Sequence, residues 1–224
     1  MIQLTKRGVA FESEPRWIEK LQADFACRHY ILLPRLIDPA ILETITEQLS
    51  VGRFVPRENR GIGTEYWLPQ DVSLSTLHFL MNLPEFLRWL ERVTACRPIG
   101  VFWGRLYRME PAEGHSTNWH DDVSEEDPRR LALSLNLSPE AFVGGELELR
   151  DKISRQMHCR LANRGFGDAI IFRIGDNLEH RIAPVRGAVP KIAFAGWFRP
   201  SGASFHPAHP SQAAEVAKQL VKPG

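Results

Sequence analysis

Asn118-Trp119-His120-Asp121-Asp122 contains a His-x-Asp pair, and this short stretch indicates both the fold and the chemistry of the chain. On an extended segment, side chains two residues apart point to the same side of the backbone. The imidazole of His120 and the carboxylate of Asp122 would then face one metal ion. A third ligand from another strand completes one face of an octahedron, a set typical of non-haem Fe(II) sites. We predict that His180 is this third ligand.

The composition is that of an ordinary globular protein, with 43% hydrophobic and 25% charged residues and a formal net charge of +1. This balance provides no general field for nucleic acid or for an anionic membrane surface, and we expect neither as a partner. No apolar run approaches the ~20 residues of a membrane span, and the N-terminus lacks the apolar core of a secretory signal. Cys27, Cys96 and Cys159 are widely spaced in the chain, and this spacing favours reduced thiols. We therefore expect a cytoplasmic protein.

The first hundred residues show mainly helical patterns. Ser13-Glu14-Pro15 and Asp38-Pro39 each combine a capping residue with a proline in the first turn, which predicts two helix starts. Tyr30 to Pro34 is typical of an edge strand, and residues 51–72 lack periodicity and are predicted to form a long loop or flap over a binding site. Two more helices are predicted over residues 73–83 and 84–95. We expect residues 1–97 to be mostly helical support.

The pattern changes to strands at Pro98. Apolar residues alternate with polar ones or form short runs, and glycine and asparagine mark turns between them. The predicted strands are 99–109, 131–137, 146–150, 169–172 and 191–198. Several strands at short spacing favour an antiparallel jelly-roll sandwich or barrel over residues 98–200. Residues 201–224 are predicted to be a tail with a short helix over 212–221, and the whole chain to be one domain.

Residues from about Arg105 to Pro200 resemble the Fe(II) and 2-oxoglutarate dependent dioxygenases, in particular the prolyl-hydroxylase-like branch. The matching elements occur in the family's order. They are Tyr107, Gly114, His120-Asp121-Asp122, Leu135-Asn136, Gly144-Gly145-Glu146-Leu147, Gly167 to Phe172, His180, Ala183-Pro184-Val185, Lys191 and Trp197. The resemblance implies a mainly β, α+β fold: a cupin-like double-stranded β-helix, or jelly roll, preceded by helices.

The resemblance also implies the cofactors, which are Fe(II), 2-oxoglutarate and O2. His120, Asp122 and His180 carry over as iron ligands. Lys191 carries over as the cation for the distal carboxylate of 2-oxoglutarate. It comes eleven residues after His180, slightly more than expected, so Arg186 stays a rival.

Three further residues are candidates for holding the cosubstrate. Ser134 stands where relatives often carry a tyrosine with that role. Either Tyr107 alone supplies the hydroxyl for the cosubstrate, or Arg105, which lies on the same face of the predicted strand, assists it in holding the cosubstrate. The sequence leaves these possibilities open.

The favoured function is an oxygenase that hydroxylates an amino-acid side chain, most simply within a peptide or protein. A hydroxylase of a free amino acid or another small metabolite is the first alternative. The second is a non-catalytic jelly-roll module that binds a small acid, with a structural metal or none. A nucleic-acid demethylase fits poorly, because such relatives carry two arginines after the distal histidine in a spacing that Lys191 to Arg199 does not show.

Overall fold

The protein is represented by a computed structural model that describes residues 2–11, 15–59, 62–69 and 71–200. Four helices and fourteen strands lie in these ranges. In chain order they are β1 (Ile2–Thr5), β2 (Gly8–Phe11), α1 (Pro15–Arg28), β3 (Tyr30–Leu33), α2 (Pro39–Val51), β4 (Val55–Asn59), β5 (Gly63–Leu68), α3 (Val72–Met81), α4 (Pro84–Thr94), β6 (Ile99–Met109), β7 (Leu131–Asn136), β8 (Val143–Gly144), β9 (Leu147–Asp151), β10 (Met157–Leu161), β11 (Ala169–Arg173), β12 (Leu178–Ile182), β13 (Val185–Arg186) and β14 (Lys191–Pro200).

The strands form two principal sheets, and all their pairings are antiparallel. The main sheet has seven strands in the order β3-β11-β7-β14-β6-β5-β4, and the minor sheet has three in the order β10-β9-β12. Two short pairs, β13-β8 and β1-β2, complete the described strands. Residues of both principal sheets line one internal cavity. This confirms the predicted mainly β fold with a double-stranded β-helix core.

Alternation along β14 shows how the main sheet separates its two faces. Phe194 and Phe198 join the apolar core that the helices cover, and the ring of Phe198 lies 6.2 Å from that of Phe86 in α4. Ala195 and Trp197 project to the other face and line the cavity. A strand with one face on the helices and the other on the cavity needs this period of two. The register of β14 therefore fixes which of its side chains reach the site.

The helices begin where the sequence predicts. In α2 the carboxylate of Asp38 accepts a hydrogen bond from the backbone N–H of Ala40 at 2.9 Å, and Pro39 occupies the first turn. The residues of α2 that face the core are Ile41, Leu42, Ile45 and Leu49. No helix among the described residues is long and apolar enough to cross a membrane. The predicted cap at Ser13-Glu14 and the predicted helix over 212–221 lie outside the described residues.

The prediction of a loop over residues 51–72 is wrong. Most of this segment forms a hairpin of β4 and β5, which extends the main sheet because β5 pairs with β6 at Tyr66, Trp67 and Leu68. We call β4 and β5 the roof hairpin. Pro56 sits on the edge strand β4, where a missing N–H is tolerated. Residues 1–97 thus contribute strands to the main sheet in addition to the expected helices.

Candidate metal centre and active site

The three side chains that the sequence predicts as metal ligands lie together between the two sheets. The ligand atoms of His120, Asp122 and His180 all lie within 4.8 Å of one another. Nε2 of His180 is 3.3 Å from Oδ2 of Asp122, and Nε2 of His120 is 3.8 Å from Oδ1 of the same carboxylate. Two imidazole nitrogens and one carboxylate at this spacing fit a single first-row metal ion such as Fe(II).

A backbone bridge holds the two histidines next to each other. The N–H of His120 donates to the carbonyl of His180 at 3.1 Å, and the N–H of His180 donates back at 2.8 Å. His180 lies in the middle of β12, whereas His120 belongs to no regular strand and pairs only through this bridge. The minor sheet therefore sets the position of His120.

The ring of His120 is oriented for metal binding through Nε2. Its Nδ1 lies 2.7 Å from the carbonyl oxygen of Asn118. Because a carbonyl only accepts hydrogen bonds, we assign the proton to Nδ1, which leaves Nε2 unprotonated. Burial, and then the neighbouring His180, lower the pKa of His120, and Asp122 acts in the opposite direction. The neutral imidazole is the form that binds a metal.

Asp122 reaches the histidines by a route that differs from the predicted strand geometry. Its φ of 57° lies in the left-handed region, which aspartate tolerates better than most residues. The indole Nε1 of Trp197 donates to Oδ2 at 2.7 Å, and a guanidinium nitrogen of Arg129 lies 2.9 Å from Oδ1. The segment around His120 is thus not a regular strand, and side-chain contacts direct the carboxylate to the histidines.

The ionisation state of Asp122 suits a metal ligand. Burial acts to raise the pKa of this carboxyl, but hydrogen bonding to His180 and the charges of His180, His120 and Arg129 outweigh it and hold the pKa below its ordinary value. An ionised carboxylate with both oxygens engaged is a pure acceptor. The group is therefore ready to ligate a cation without first losing a proton.

The cavity next to these ligands has a volume of about 600 Å³, within the usual range for small-molecule sites. The main sheet, which includes the roof hairpin, and the minor sheet each supply part of its wall. Its lining includes Arg57 and Glu65 from the roof hairpin, Arg105, Tyr107 and Met109 from β6, Ser134 from β7, His180 from β12, Trp197 and Arg199 from β14, and Asp127 and Arg129 from the loop before β7.

Tyr107 and Ser134 lie side by side on the cavity wall. Burial and the charge of Glu65 raise the pKa of Tyr107, while Arg105 and a hydrogen bond with Ser134 act in the opposite direction. The phenol therefore keeps its proton at neutral pH and is available as a donor. The hydroxyls of Tyr107 and Ser134, both predicted from the sequence as candidates for holding the cosubstrate, thus lie next to each other in the cavity.

Arg105 forms a buried ion pair with Glu65 of the roof hairpin. Its Nε lies 2.5 Å from Oε1 and its second terminal nitrogen 3.0 Å from Oε2, a two-point contact. Burial acts to lower the pKa of Arg105, but the charge of Glu65 outweighs it and raises the pKa above its ordinary value. The guanidinium is therefore a fixed positive charge inside the cavity wall.

Lys191 lies just behind the cavity and does not line it. Its side chain is buried, and Nζ donates to the carbonyl of Gly145 at 2.7 Å. Met109, directly opposite on β6, does line the cavity. Burial lowers the pKa of Lys191 to about 8, and Glu146 offsets this in part. Among the described residues, no carboxylate forms an ion pair with Lys191. A buried ammonium that lacks a carboxylate partner is suited to bind an anionic ligand.

The rival cation, Arg186, is placed differently. It is exposed and lies in the two-residue strand β13. It does not line the cavity. Its location disfavours a role in holding the cosubstrate.

Two site residues escaped the sequence reasoning. Glu65 lies in the segment that was predicted to be a loop, and no apolar period in that segment indicates a strand. Arg129 is not among the site residues that the sequence predicts, yet it lines the cavity. No local pattern reveals its contact with Asp122, because that contact depends on how the loop after Asp122 folds back.

A double-stranded β-helix with two histidines and an aspartate gathered in its cavity is the arrangement of a non-haem iron oxygenase. Residues 104–199 match the sequence profile of the 2OG-Fe(II) oxygenase superfamily. The search of curated proteins found no match to the chain. Over these residues the chain is similar to the 2OG-Fe(II) oxygenase superfamily, a class of oxidoreductases that use Fe(II), 2-oxoglutarate and O2, and His120, Asp122 and His180 are candidate ligands for the iron.

Solved structures show the same fold. A 2OG-Fe(II) oxygenase family oxidoreductase from Burkholderia pseudomallei is 18% identical, with a TM-score of 0.66 over 92% of this chain and 100% of its own. A Pseudomonas putida prolyl-4-hydroxylase is 15% identical, with a TM-score of 0.61 over 83% of this chain and 100% of its own. A Trichoplax adhaerens prolyl hydroxylase, solved with a hypoxia inducible factor peptide fragment, is 12% identical, with a TM-score of 0.61 over 95% and 99%. At these identities the likeness establishes the fold.

Proposed function

We propose that the protein hydroxylates a C–H bond of an amino-acid side chain, most simply within a peptide or protein, with His120, Asp122 and His180 as the iron ligands. The single observation that carries this proposal is the convergence of the three ligand atoms beside a cavity of about 600 Å³. Bound Fe(II) and 2-oxoglutarate together supply an oxidant from O2, with release of succinate and CO2 and transfer of one oxygen atom to the substrate.

The protein's own groups have distinct tasks in this proposal. His180 is held by β12, His120 by its bridge to His180 and its bond to Asn118, and Asp122 by Trp197 and Arg129. Such contacts orient metal ligands before the metal arrives. The ligand set is thus preorganised by the fold.

Lys191 is our candidate for the distal carboxylate of 2-oxoglutarate. The buried ammonium lies beyond Met109 on the cavity wall and has a carbonyl as its hydrogen-bond acceptor. A bound carboxylate would provide the charge partner that a buried ammonium requires. Tyr107 and Ser134, which lie on the same wall, offer hydroxyls to the same ligand.

A peptidyl substrate is supported by the fold shared with two prolyl hydroxylases, one of them solved with a peptide. A free amino acid or another small metabolite is the second candidate. The observation that favours it is the Glu65–Arg105 ion pair, which places fixed charges in the cavity under the roof hairpin.

We propose one dioxygenase domain in which residues 98–200 form the core and residues 1–97 support it. Within the described ranges, the helices and the core strands share one apolar cluster, as a single folding unit does. The three free cysteines of the protein favour a reducing compartment such as the cytoplasm.

A metal titration combined with a substrate screen tests the proposal. His120→Ala, Asp122→Ala and His180→Ala should each weaken Fe(II) binding and abolish succinate formation, while circular dichroism stays that of the parent. The screen should find a peptide or amino acid that stimulates succinate release and gains the mass of one oxygen atom. Unchanged Fe(II) binding in all three variants would contradict the assignment of the ligands.

A further inference from the structure

The segment that carries His120 runs along the edge of the minor sheet, beside β12. Its backbone is bonded to β12 at two places. One is the pair of hydrogen bonds between His120 and His180, and the other is the bond from the N–H of Thr117 to the carbonyl of Ile182 at 2.9 Å. His120 thus sits in an isolated bridge and not in a ladder. A segment with so few backbone pairs opens locally more easily than a strand does, so the position of His120 depends on additional contacts.

The outer face of the minor sheet provides such contacts. Leu147, His180 and Ile182 line the cavity, so the side chains that alternate with them along β9 and β12 point away from it. The charged residues of this outer face include Glu148 and Arg150 of β9 and Glu179 and Arg181 of β12. Both arginines therefore lie behind the sheet as seen from the metal centre.

Two ion pairs hold these arginines in place. Arg150 is opposite Glu179 in the ladder between β9 and β12, and its Nε lies 2.5 Å from Oε1 of that residue. Arg181 is opposite Glu148, and its Nε lies 2.6 Å from Oε2. Both glutamates are buried. Because the register of the two strands fixes the glutamates, the two guanidinium groups form a well-defined surface.

The indole ring of Trp119 packs on this surface. The guanidinium carbon of Arg150 lies 3.7 Å from the ring centroid, and that of Arg181 lies 4.7 Å from it. A guanidinium group is attracted to the face of an indole, where the π system is negative. We call Trp119, Arg150 and Arg181 the outer clamp. Trp119 directly precedes His120, so the clamp holds the chain on the side of the sheet opposite to the imidazole.

We propose that Trp119, through the outer clamp, is a positioning residue for the iron ligand His120. This inference rests on the proposed function, because it takes His120 as a ligand. When an imidazole is in place in only a fraction of the molecules, the apparent metal affinity falls by that fraction. The clamp raises this fraction before the metal arrives. Metal affinity then depends on a side chain that does not line the cavity.

The test needs neither 2-oxoglutarate nor the prime substrate, the molecule that is hydroxylated. Calorimetric titration with Fe(II) without oxygen gives the metal affinity, and melting of the metal-free protein gives the stability. Trp119→Leu removes the ring and keeps an apolar side chain. It should weaken Fe(II) binding about tenfold, the scale on which outer contacts of metal ligands act. Trp119→Phe keeps a ring face for the guanidinium groups and should restore most of the affinity.

Phe54→Leu is the matched control. The ring of Phe54 also lies against a guanidinium group, that of Arg108 at 4.9 Å, and it packs on the main apolar core. Neither residue lines the cavity. The substitution should lower the melting temperature and leave the Fe(II) affinity at the parent value. A loss of affinity equal to that of Trp119→Leu would reveal a general effect of stability and overturn the inference.

Arg150→Gln tests the clamp from the side of the sheet. It removes the guanidinium group nearest to the ring, while Arg155 still pairs with Glu179. If the ring and this guanidinium group act together, each substitution should weaken Fe(II) binding less in the presence of the other than alone. Fully additive losses would show that the two residues act separately, which contradicts the clamp.

Hydrogen exchange of the metal-free protein reports the local order. The N–H of His120 donates to His180 in the parent, and it should exchange about tenfold faster in Trp119→Leu. Amides of β6 and β14 should exchange at the parent rate. A residue that only adds to global stability would change all of these amides alike, and that result would contradict a positioning role.

The inference and the proposed function can fail separately. If the parent binds Fe(II) and Trp119→Leu binds it equally well, with unchanged exchange at His120, the inference is wrong and the proposed function stands. If the parent binds no Fe(II), the proposed function fails, and the exchange rate of His120 in the metal-free protein still decides whether Trp119 orders this residue.

Discussion

The indole Nε1 of Trp197 donates a hydrogen bond to Oδ2 of Asp122 at 2.7 Å, which links the last strand of the main sheet to a carboxylate 75 residues earlier in the chain. Trp197 lies on β14, whose register is fixed by pairing with both β6 and β7. Asp122 lies outside the strands, in a left-handed conformation. A rigid element thus restrains a metal-ligand candidate whose own backbone is irregular.

Replacing Trp197 by phenylalanine should weaken Fe(II) binding. The substitution keeps an aromatic ring on β14 and removes the N–H that orients Asp122. Loss of such an outer contact typically costs about 10- to 100-fold in metal affinity. Calorimetric titration with Fe(II) measures the effect. Trp103→Phe is the control, because Trp103 stacks parallel to Trp197 at 6.4 Å and makes no hydrogen bond to Asp122. Equal affinities for the two variants would show that the indole N–H has no role.

Lys191→Ala should raise the concentration of 2-oxoglutarate needed for half-maximal turnover by about 10² to 10³, the scale expected when a bound anion loses its buried cation partner. Fe(II) binding should be unaffected, because Lys191 lies apart from the ligands and bonds to Gly145. Arg186→Ala should have a much smaller effect, since Arg186 is exposed. The opposite ranking of the two variants would reassign the cation.

The affinity for 2-oxoglutarate should fall as the pH rises above neutrality. Burial lowers the pKa of Lys191 to about 8, so the free protein loses the ammonium proton above that pH. Binding of a carboxylate requires the protonated form, and affinity should therefore drop by about tenfold per pH unit above about 8. Lys191→Arg keeps its charge in this range and should abolish the slope. A parent profile that stays flat between pH 8 and 9.5 would contradict protonation of Lys191 as the controlling event.

Gly63→Ala should disturb the roof hairpin while sparing the metal centre. A Cβ at Gly63 would lie 2.2 Å from the carbonyl oxygen of Ser116, closer than backbone atoms allow. We expect a lower melting temperature and a higher KM for the prime substrate, with parent-like Fe(II) binding. Gly175→Ala is the matched control, because nothing lies within 4 Å of a Cβ at that position. If the two variants behave alike, the close approach of the hairpin to residue 116 is unimportant.

The sequence predicts those parts of the fold that depend on local pattern. Alternation identifies β6, β7 and β14, and the cap at Asp38 and the first-turn proline Pro84 mark the observed starts of α2 and α4. It does not identify the roof hairpin, because a Gly- and Pro-containing edge segment has no clear apolar period.

The predicted site shows the same division. The phase of β6 places Arg105 and Tyr107 in the cavity as expected. The left-handed turn at Asp122 and its contacts with Arg129 and Trp197 arise from chain segments that meet only in the folded protein. Pairings between distant residues leave no trace in local periodicity, so the ion pair of Glu65 and Arg105 was equally hidden.

The roof hairpin joins the main sheet through three residue pairs with β6 and forms the outer edge of that sheet. The metal-ligand candidates belong to other segments, so mutations in β4 and β5 can accumulate without altering the ligand set. The reaction and the choice of substrate can therefore evolve separately. The metal-ligand candidates can stay unchanged while substitutions in the roof hairpin alter which substrates bind. A directed-evolution library confined to residues 55–59 and 63–66 would exploit this modularity and would be the economical way to retarget the enzyme.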